Sequence, residues 1–324
     1  MIKALALTGP TASGKTVLSL SLARELDCEI ISLDSMQIYK GMDIGTAKAT
    51  EGERAMAPHH MLSVVEPTEP YSTERYRDEA MAVARGICDR GRIPFFVGGT
   101  GLYLDTLTRA RSEEAPASDP AYAAGLLSGL DPETAPAVLW SRLSQVDPES
   151  AEKIHMNNLR RVIRALEVYD STGIPKSELD RRTGLTPSEL SCRVLTLDYL
   201  DRELMRSRIG LRVDIMMREG LLEEVESLWR GGLLPDGSTA AQAIGYKEII
   251  AYLKGETTLD EAVEKIKLSS CRYAKRQITW FRHVEGAVRI FVDDGMGKMR
   301  DEADILSEAL AASRDFFENE NKIT

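Results

Sequence analysis

No stretch of this chain stays apolar for the roughly 18 residues that a membrane-spanning helix needs, so a membrane protein is not expected. Cysteine is scarce and scattered: Cys28, Cys88, Cys192 and Cys271 form no C-x-x-C pair, which argues against a zinc site and a disulfide framework. Reduced thiols of a cytoplasmic enzyme are the expectation, and an apolar run already under way at Ile2 leaves no room for a signal peptide. There are only four histidines; His59 and His60 adjoin but have no acidic partner at ligand spacing, so both read as ordinary side chains. Internal repeats and low-complexity tracts are absent. Positive charge is not in excess either, and the formal net charge of −10 argues at first against a nucleic-acid partner. Its distribution weakens that exclusion. Residues 285–324 carry ten Asp/Glu against five Lys/Arg, which accounts for −5 of the total. That end reads as a solvated helix and a frayed tail. Basic residues gather instead at Arg160–Arg164, Arg202–Arg218 and Arg272–Arg282.

What is present begins with Gly9-Pro10-Thr11-Ala12-Ser13-Gly14-Lys15-Thr16, a full match to the phosphate-cradling pattern G-x-x-x-x-G-K-[ST]. Its context gives it weight. The apolar run Ile2–Leu7 predicts a buried strand, and Val17–Leu26 predicts a helix, so the loop joins a strand to a helix N-terminus. Gly9 and Gly14 let backbone N–H groups approach phosphate oxygens, and the helix dipole favours the anion. Lys15 adds a charge, and the Thr16 hydroxyl is placed to ligate Mg²⁺.

Further strands are expected at Glu29–Leu33, Ile93–Val97, Arg193–Leu197 and Ala287–Val292, separated by helical stretches such as Ser72–Asp89. This pattern predicts an α/β fold, a P-loop parallel sheet flanked by helices. Asp34 and Thr100 each follow a strand, so both should face the P-loop across one crevice. From 113 to 190 no strand-like run appears, and an all-helical insertion is expected there. The catalytic core is then 1–112 together with 191–315, and 316–324 a frayed tail. Within the insertion, the spacing over Asn158–Asp170 puts Leu159, Val162, Ile163, Leu166 and Tyr169 on one helix face. Arg160, Arg161 and Arg164 fall on the other, interrupted only by Glu167, a pattern that favours anion binding over a plain solvated face. In Tyr273–Arg282, Trp280 and Phe281 read as core, whereas Lys275, Arg276 and Gln277 are freer to meet phosphates.

Together these strings resemble the tRNA dimethylallyltransferases, also called tRNA isopentenyltransferases. The resemblance rests on Gly9–Thr16, on Asp34-Ser-Met-Gln-Ile-Tyr-Lys-Gly-Met-Asp-Ile-Gly-Thr-Ala-Lys48 and on Gly98-Gly-Thr-Gly-Leu-Tyr103. Asn158–Leu166, Gln242-Ala-Ile-Gly-Tyr-Lys247 and Ala274–Arg282 carry it further, in family order from about residue 3 to residue 283. It implies prenyl transfer from dimethylallyl diphosphate to the exocyclic N6 amine of the adenosine just 3′ of the anticodon. The P-loop would hold the isoprenoid diphosphate, with Mg²⁺ as cofactor, Asp34 as base, and Thr100, Lys15 and Arg212 assisting. Ser35, Met36 and Gln37 would lie beside the extruded adenine. The anticodon stem-loop would be gripped by Arg160, Arg161, Arg164, Lys275, Arg276 and Gln277. Neighbouring bases would be read by Gln242, Gly245, Tyr246 and Lys247. A monomer is expected.

The C-terminal zinc finger of eukaryotic members is missing, which fits a bacterial-type enzyme, and the acidic end beyond Gly286 lies outside every motif. Three other readings stay open. An adenylate isopentenyltransferase would leave the arginine helix without a purpose. A P-loop small-molecule kinase would bind ATP, and a non-catalytic RNA-binding protein would not need Asp34.

Overall fold

The computed structural model describes residues 1–108, 119–184 and 188–319. Most of the expected polar stretch Ser112–Asp119 and the last five residues of the expected tail lie outside them. The chain forms two compact units, Met1–Thr108 with Leu190–Thr324, and Arg109–Glu189.

The larger unit opens with β1 (Ile2–Thr8), α1 (Lys15–Glu25), β2 (Cys28–Ser32), α2 (Glu51–Met56), β3 (His59–His60), α3 (Thr73–Asp89), β4 (Ile93–Val97) and α4 (Gly101–Thr108). The smaller unit holds α5 (Pro120–Leu127), α6 (Ala135–Val146), α7 (Pro148–Lys153), α8 (Leu159–Thr172) and α9 (Lys176–Gly184). The chain then returns through β5 (Leu190–Asp198), α10 (Arg202–Arg218), α11 (Leu221–Arg230), α12 (Tyr246–Leu253), α13 (Leu259–Phe281), β6 (Val288–Phe291) and α14 (Glu302–Asn319).

Six parallel strands pair in the order β3-β2-β4-β1-β5-β6. Because side chains alternate across a strand, β1 feeds two cores. Leu5 and Leu7 pack with Leu22, Leu195, Ala274, Ile278 and Ile290. Ala4 and Ala6 meet Tyr76, Ala80, Phe96, Tyr103 and Leu104 on the other face. A third cluster joins Ile38, Tyr39 and Met42 to α10, α11 and α12 through Val213, Leu221, Val225 and Ile249. The smaller unit has its own core of Leu139, Leu143, Val162, Ile163 and Leu166.

One strand is unexpected, and two expectations need correction. Strand β3 falls on His59–His60, where two histidines give no apolar alternation to read; they pair with Ile30 and Ile31. His60 Nε2 meets the buried Glu29 carboxylate at 2.7 Å. The Arg90 guanidinium on Glu29, with His60, holds that carboxyl down at about 2. The C-terminal segment is not a solvated helix with fraying from 316. Helix α14 runs to Asn319, buries Ile305 and Ala309, and packs Phe317 against the sheet core. Its charge balance hid an apolar stripe. In α8, Glu167 does not interrupt an arginine surface. It is buried, accepts the Arg164 guanidinium at 2.5 Å and takes the Asp119 N–H at the start of α5. Arg160 and Arg161 are exposed, whereas Arg164 is drawn inward.

One close approach fixes how β2 and β4 end. A Cβ on Gly98 would lie 2.2 Å from the Leu33 carbonyl oxygen, which is backbone and cannot swing aside. Gly98→Ala is therefore expected to cost about 2–3 kcal/mol, read as a lower urea midpoint; an unchanged midpoint would show the loop to be compliant.

Candidate active site

In a parallel sheet the loops that follow neighbouring strands meet above their carboxyl ends. Here these are the P-loop after β1, the Asp34 loop after β2 and the Gly98–Thr100 loop after β4. With residues of α10, α12 and α13 and the stretch before α12, they line a cavity of about 500 Å³ in the larger unit.

The floor is the N-terminus of α1. Helices α3, α10 and α13 are each capped by a side chain, from Ser72, Asp201 and Thr258. Helix α1 instead begins at Gly14 in a left-handed conformation (φ 87°) with no side-chain cap, so its first N–H groups stay available to a ligand. Gly9 is forced for a second reason: at φ 139° its Cβ would sit 2.7 Å from the Leu197 carbonyl oxygen. Ser13 Oγ is buried without a hydrogen-bond partner, a donor that a bound oxyanion would satisfy. Lys15 Nζ donates to the Gly9 and Pro10 carbonyls at 3.0 and 2.7 Å. Burial, helped by the nearby Arg212 cation and opposed by Asp34, pushes Lys15 down to about 7. The loop is poised for an anion that would restore that charge.

Asp34 lines the same cavity. Its Oδ1 accepts the Met36 N–H at 2.8 Å and, at 3.4 Å, the Gln37 N–H, which fixes the carboxyl group at the head of a turn. Burial raises its proton affinity despite those two amides and the Lys15 and Arg212 charges. Thr100 Oγ1 accepts the Ser35 N–H at 3.1 Å, locking the Asp34 loop to the β4 loop. Arg212, half-buried on α10, has its own proton affinity lowered by burial. A half-buried carboxylate, two cations and an uncapped helix end thus share one enclosure. The combination suits proton removal from one reactant and anion stabilisation on another.

Comparison with known proteins agrees over nearly the whole chain. The family model for IPP transferase matches residues 37–284, and that for isopentenyl transferase matches residues 2–57. The tRNA dimethylallyltransferase of Geobacillus thermodenitrificans is 49% identical over 282 residues, 87% of this chain and 88% of that protein. The chain belongs to the IPP transferase family. Its relative from Thermoanaerobacter sp. (strain X514), also a tRNA dimethylallyltransferase, is 43% identical over 309 residues, 90% of this chain and 93% of that one. Among solved structures, the tRNA isopentenylpyrophosphate transferase of Staphylococcus epidermidis superposes with a TM-score of 0.69 at 34% identity, covering all of both chains. A eukaryotic dimethylallyltransferase acting on tRNA reaches a TM-score of 0.82 at 31% identity, covering 98% of this chain and 80% of that one.

The family's motifs converge unevenly. The cavity gathers Thr11–Thr16, Asp34–Gln37, Arg212, Gln242, Gly245, Lys247, Arg276 and Gln277. Thr100 reaches it through Ser35. Lys275 is exposed on α13, and Arg276 lies over the Tyr273 ring at 5.6 Å.

Several expected RNA contacts are otherwise engaged. Tyr246 is fully buried and donates its hydroxyl to Glu224 at 2.5 Å. Gln37 donates to the Thr46 and Ala47 carbonyls and bonds Ser32 Oγ, so its amide serves the loop. Gln277 is buried and bonded at both ends of its amide. Arg164 is held by Glu167. In each case the polar side chain closes an internal hydrogen bond, to backbone groups for Gln37 and Gln277 and to a carboxylate for Tyr246 and Arg164, because buried polar groups need partners.

Other contributors carried no sequence signal. Glu224, one acid on an ordinary amphipathic helix, accepts the Asp43, Ile44 and Gly45 N–H groups and braces the loop that forms one wall. The Tyr199 hydroxyl donates to the Ala12 carbonyl at 2.6 Å and holds the P-loop from behind. Tyr273 and Ser270 line the cavity from α13.

Lys15 gives a sign that can be tested. Below about pH 7 it is protonated before binding, and above it the free side chain is increasingly neutral, so an anion must first recover the proton. Calorimetry with inorganic diphosphate from about pH 6 to pH 9 should show affinity falling more steeply than in Lys15→Arg, whose cation does not titrate. Parallel profiles would contradict this account of Lys15.

Proposed function

We propose that this protein transfers a dimethylallyl group from dimethylallyl diphosphate to the N6 amine of the adenosine 3′-adjacent to the anticodon of tRNA. The observation that carries the reading is the pairing, in one cavity, of an uncapped helix N-terminus with the desolvated, half-buried Asp34 carboxylate. Family membership and the names of the relatives support the choice of reactants.

The adenine amine is a weak nucleophile because its lone pair is delocalised into the ring. Asp34 takes one N6 proton as the nitrogen attacks C1 of the dimethylallyl group. The C1–O bond breaks, and diphosphate leaves with that electron pair. Burial makes Asp34 a stronger base than an ordinary carboxylate, and its turn amides hold the carboxyl in place. The amides at the start of α1, Lys15 and Arg212 take up the charge that grows on the leaving group. The target base must leave its stack to enter, since N6 is otherwise shielded by neighbouring bases.

Mg²⁺ fits this donor set. The groups lining the cavity include the Thr16 hydroxyl and the Asp34 carboxylate, hard oxygens of the kind Mg²⁺ takes. Among the described residues no cluster of three His, Cys, Asp or Glu could hold a metal. When bound, Mg²⁺ would offset diphosphate charge, with Thr16 as its protein ligand. We assign the RNA backbone contacts of the smaller unit to the exposed Arg160 and Arg161, and those of the larger unit to Lys275 and Arg276.

Incubation with Mg²⁺, dimethylallyl diphosphate and an unmodified anticodon stem-loop should add one prenyl mass to the RNA and none to free AMP. Transfer to AMP alone would favour the adenylate reading instead. Asp34→Ala is expected to abolish turnover while RNA affinity stays within about tenfold, since phosphate contacts dominate binding. Retained turnover would remove Asp34 from the chemistry. Exchanging both Arg160 and Arg161 for Ala should lower the salt dependence of RNA binding by roughly one unit per arginine; an unaltered slope would take α8 out of the interface.

A further inference from the structure

The side chain of Gln277 reaches from α13 between two of the loops that form the cavity. Its Oε1 accepts the Thr11 N–H of the P-loop at 2.9 Å, and its Nε2 donates to the Gly99 carbonyl at 3.0 Å. The residue is 5% exposed, so neither bond competes with bulk water. Gly99 leaves the space the amide needs: a Cβ there would lie 2.0 Å from Nε2 and 3.6 Å from the Gly9 carbonyl oxygen. The next residue, Thr100, bonds the Ser35 N–H, and Ser35 follows Asp34. One amide therefore links the diphosphate cradle to the loops that carry the base.

We infer that Gln277 is a positioning residue that sets the spacing between the diphosphate cradle and Asp34, without touching either reactant. The inference rests on the proposed reaction. Each reactant binds mainly to its own loop, so losing the link should leave both affinities largely intact. What it should loosen is their alignment. Bond formation between N6 and C1 is sensitive to small errors in that alignment.

The test uses Gln277→Met, which keeps the side chain's length and removes both hydrogen bonds, and Gly99→Ala, which displaces the amide. With the full chain, dimethylallyl diphosphate, Mg²⁺ and the stem-loop, each substitution should lower single-turnover rate at saturation about tenfold or more. The dissociation constants for inorganic diphosphate and for the RNA should move less than about threefold. The two effects should not multiply, because either change breaks the same link. Threefold or greater weakening of diphosphate binding with an unchanged saturated rate would overturn the inference, as would fully additive losses. Amide exchange at Thr11 gives an arm independent of the reaction. It should accelerate in Gln277→Met whether or not the wild type prenylates RNA, and unchanged exchange would refute the link itself. Failure of the wild type to transfer a prenyl group would count against the proposed reaction instead.

Discussion

The N-terminus of α1 is the constraint around which the larger unit is arranged. A helix end whose first amides have no side-chain cap carries unmet hydrogen bonds and partial positive charge. In this chain that deficit is kept open at α1, whereas α3, α10 and α13 close it with serine, aspartate or threonine. Gly9 and Gly14 supply the backbone angles, and the hydroxyl of Tyr199 and the amide of Gln277 hold the loop from two sides. The lowered proton affinity of Lys15 and the orphaned Ser13 hydroxyl are consequences of the same arrangement. One kind of ligand, an oxyanion rich in charge, would resolve all three features.

The sheet then decides what stands opposite. Because β2 and β4 lie beside each other and β4 lies beside β1, the loops after them cannot avoid the P-loop. Close backbone contact at Gly98 and the Thr100–Ser35 bond make the placement of Asp34 a matter of strand register rather than loop preference. Desolvation that would be wasteful for a surface carboxylate here raises its proton affinity, which suits the base we propose. In the proposed reaction the same enclosure would serve as anion site and proton acceptor.

Much of this was legible in the residues. The P-loop, the parallel sheet, the acidic residue after the second strand and the helical insertion all followed from periodicity and motif, because local sequence dictates them. One cause runs through the motif residues that the fold itself engages. Gln277, Gln37, Tyr246 and Arg164 are polar residues within or beside strong motifs, and a sequence does not reveal whether a polar group meets a ligand or its own fold. Their partners are distant in the chain or on a neighbouring turn, so only the folded geometry separates the cases. Glu224 shows the converse, a residue in no motif that braces a wall of the cavity. Strand β3 was hidden for a different reason: two histidines pair as a strand because Glu29 and the backbone of β2 receive them.

A crystal structure with diphosphate and an unmodified anticodon stem-loop tests the central claim most directly. The account expects diphosphate oxygens on the amides of residues 13–16 and the exocyclic amine of an extruded adenine hydrogen-bonded to Asp34. Diphosphate bound away from those amides, or an adenine whose amine faces a group other than Asp34, would contradict it.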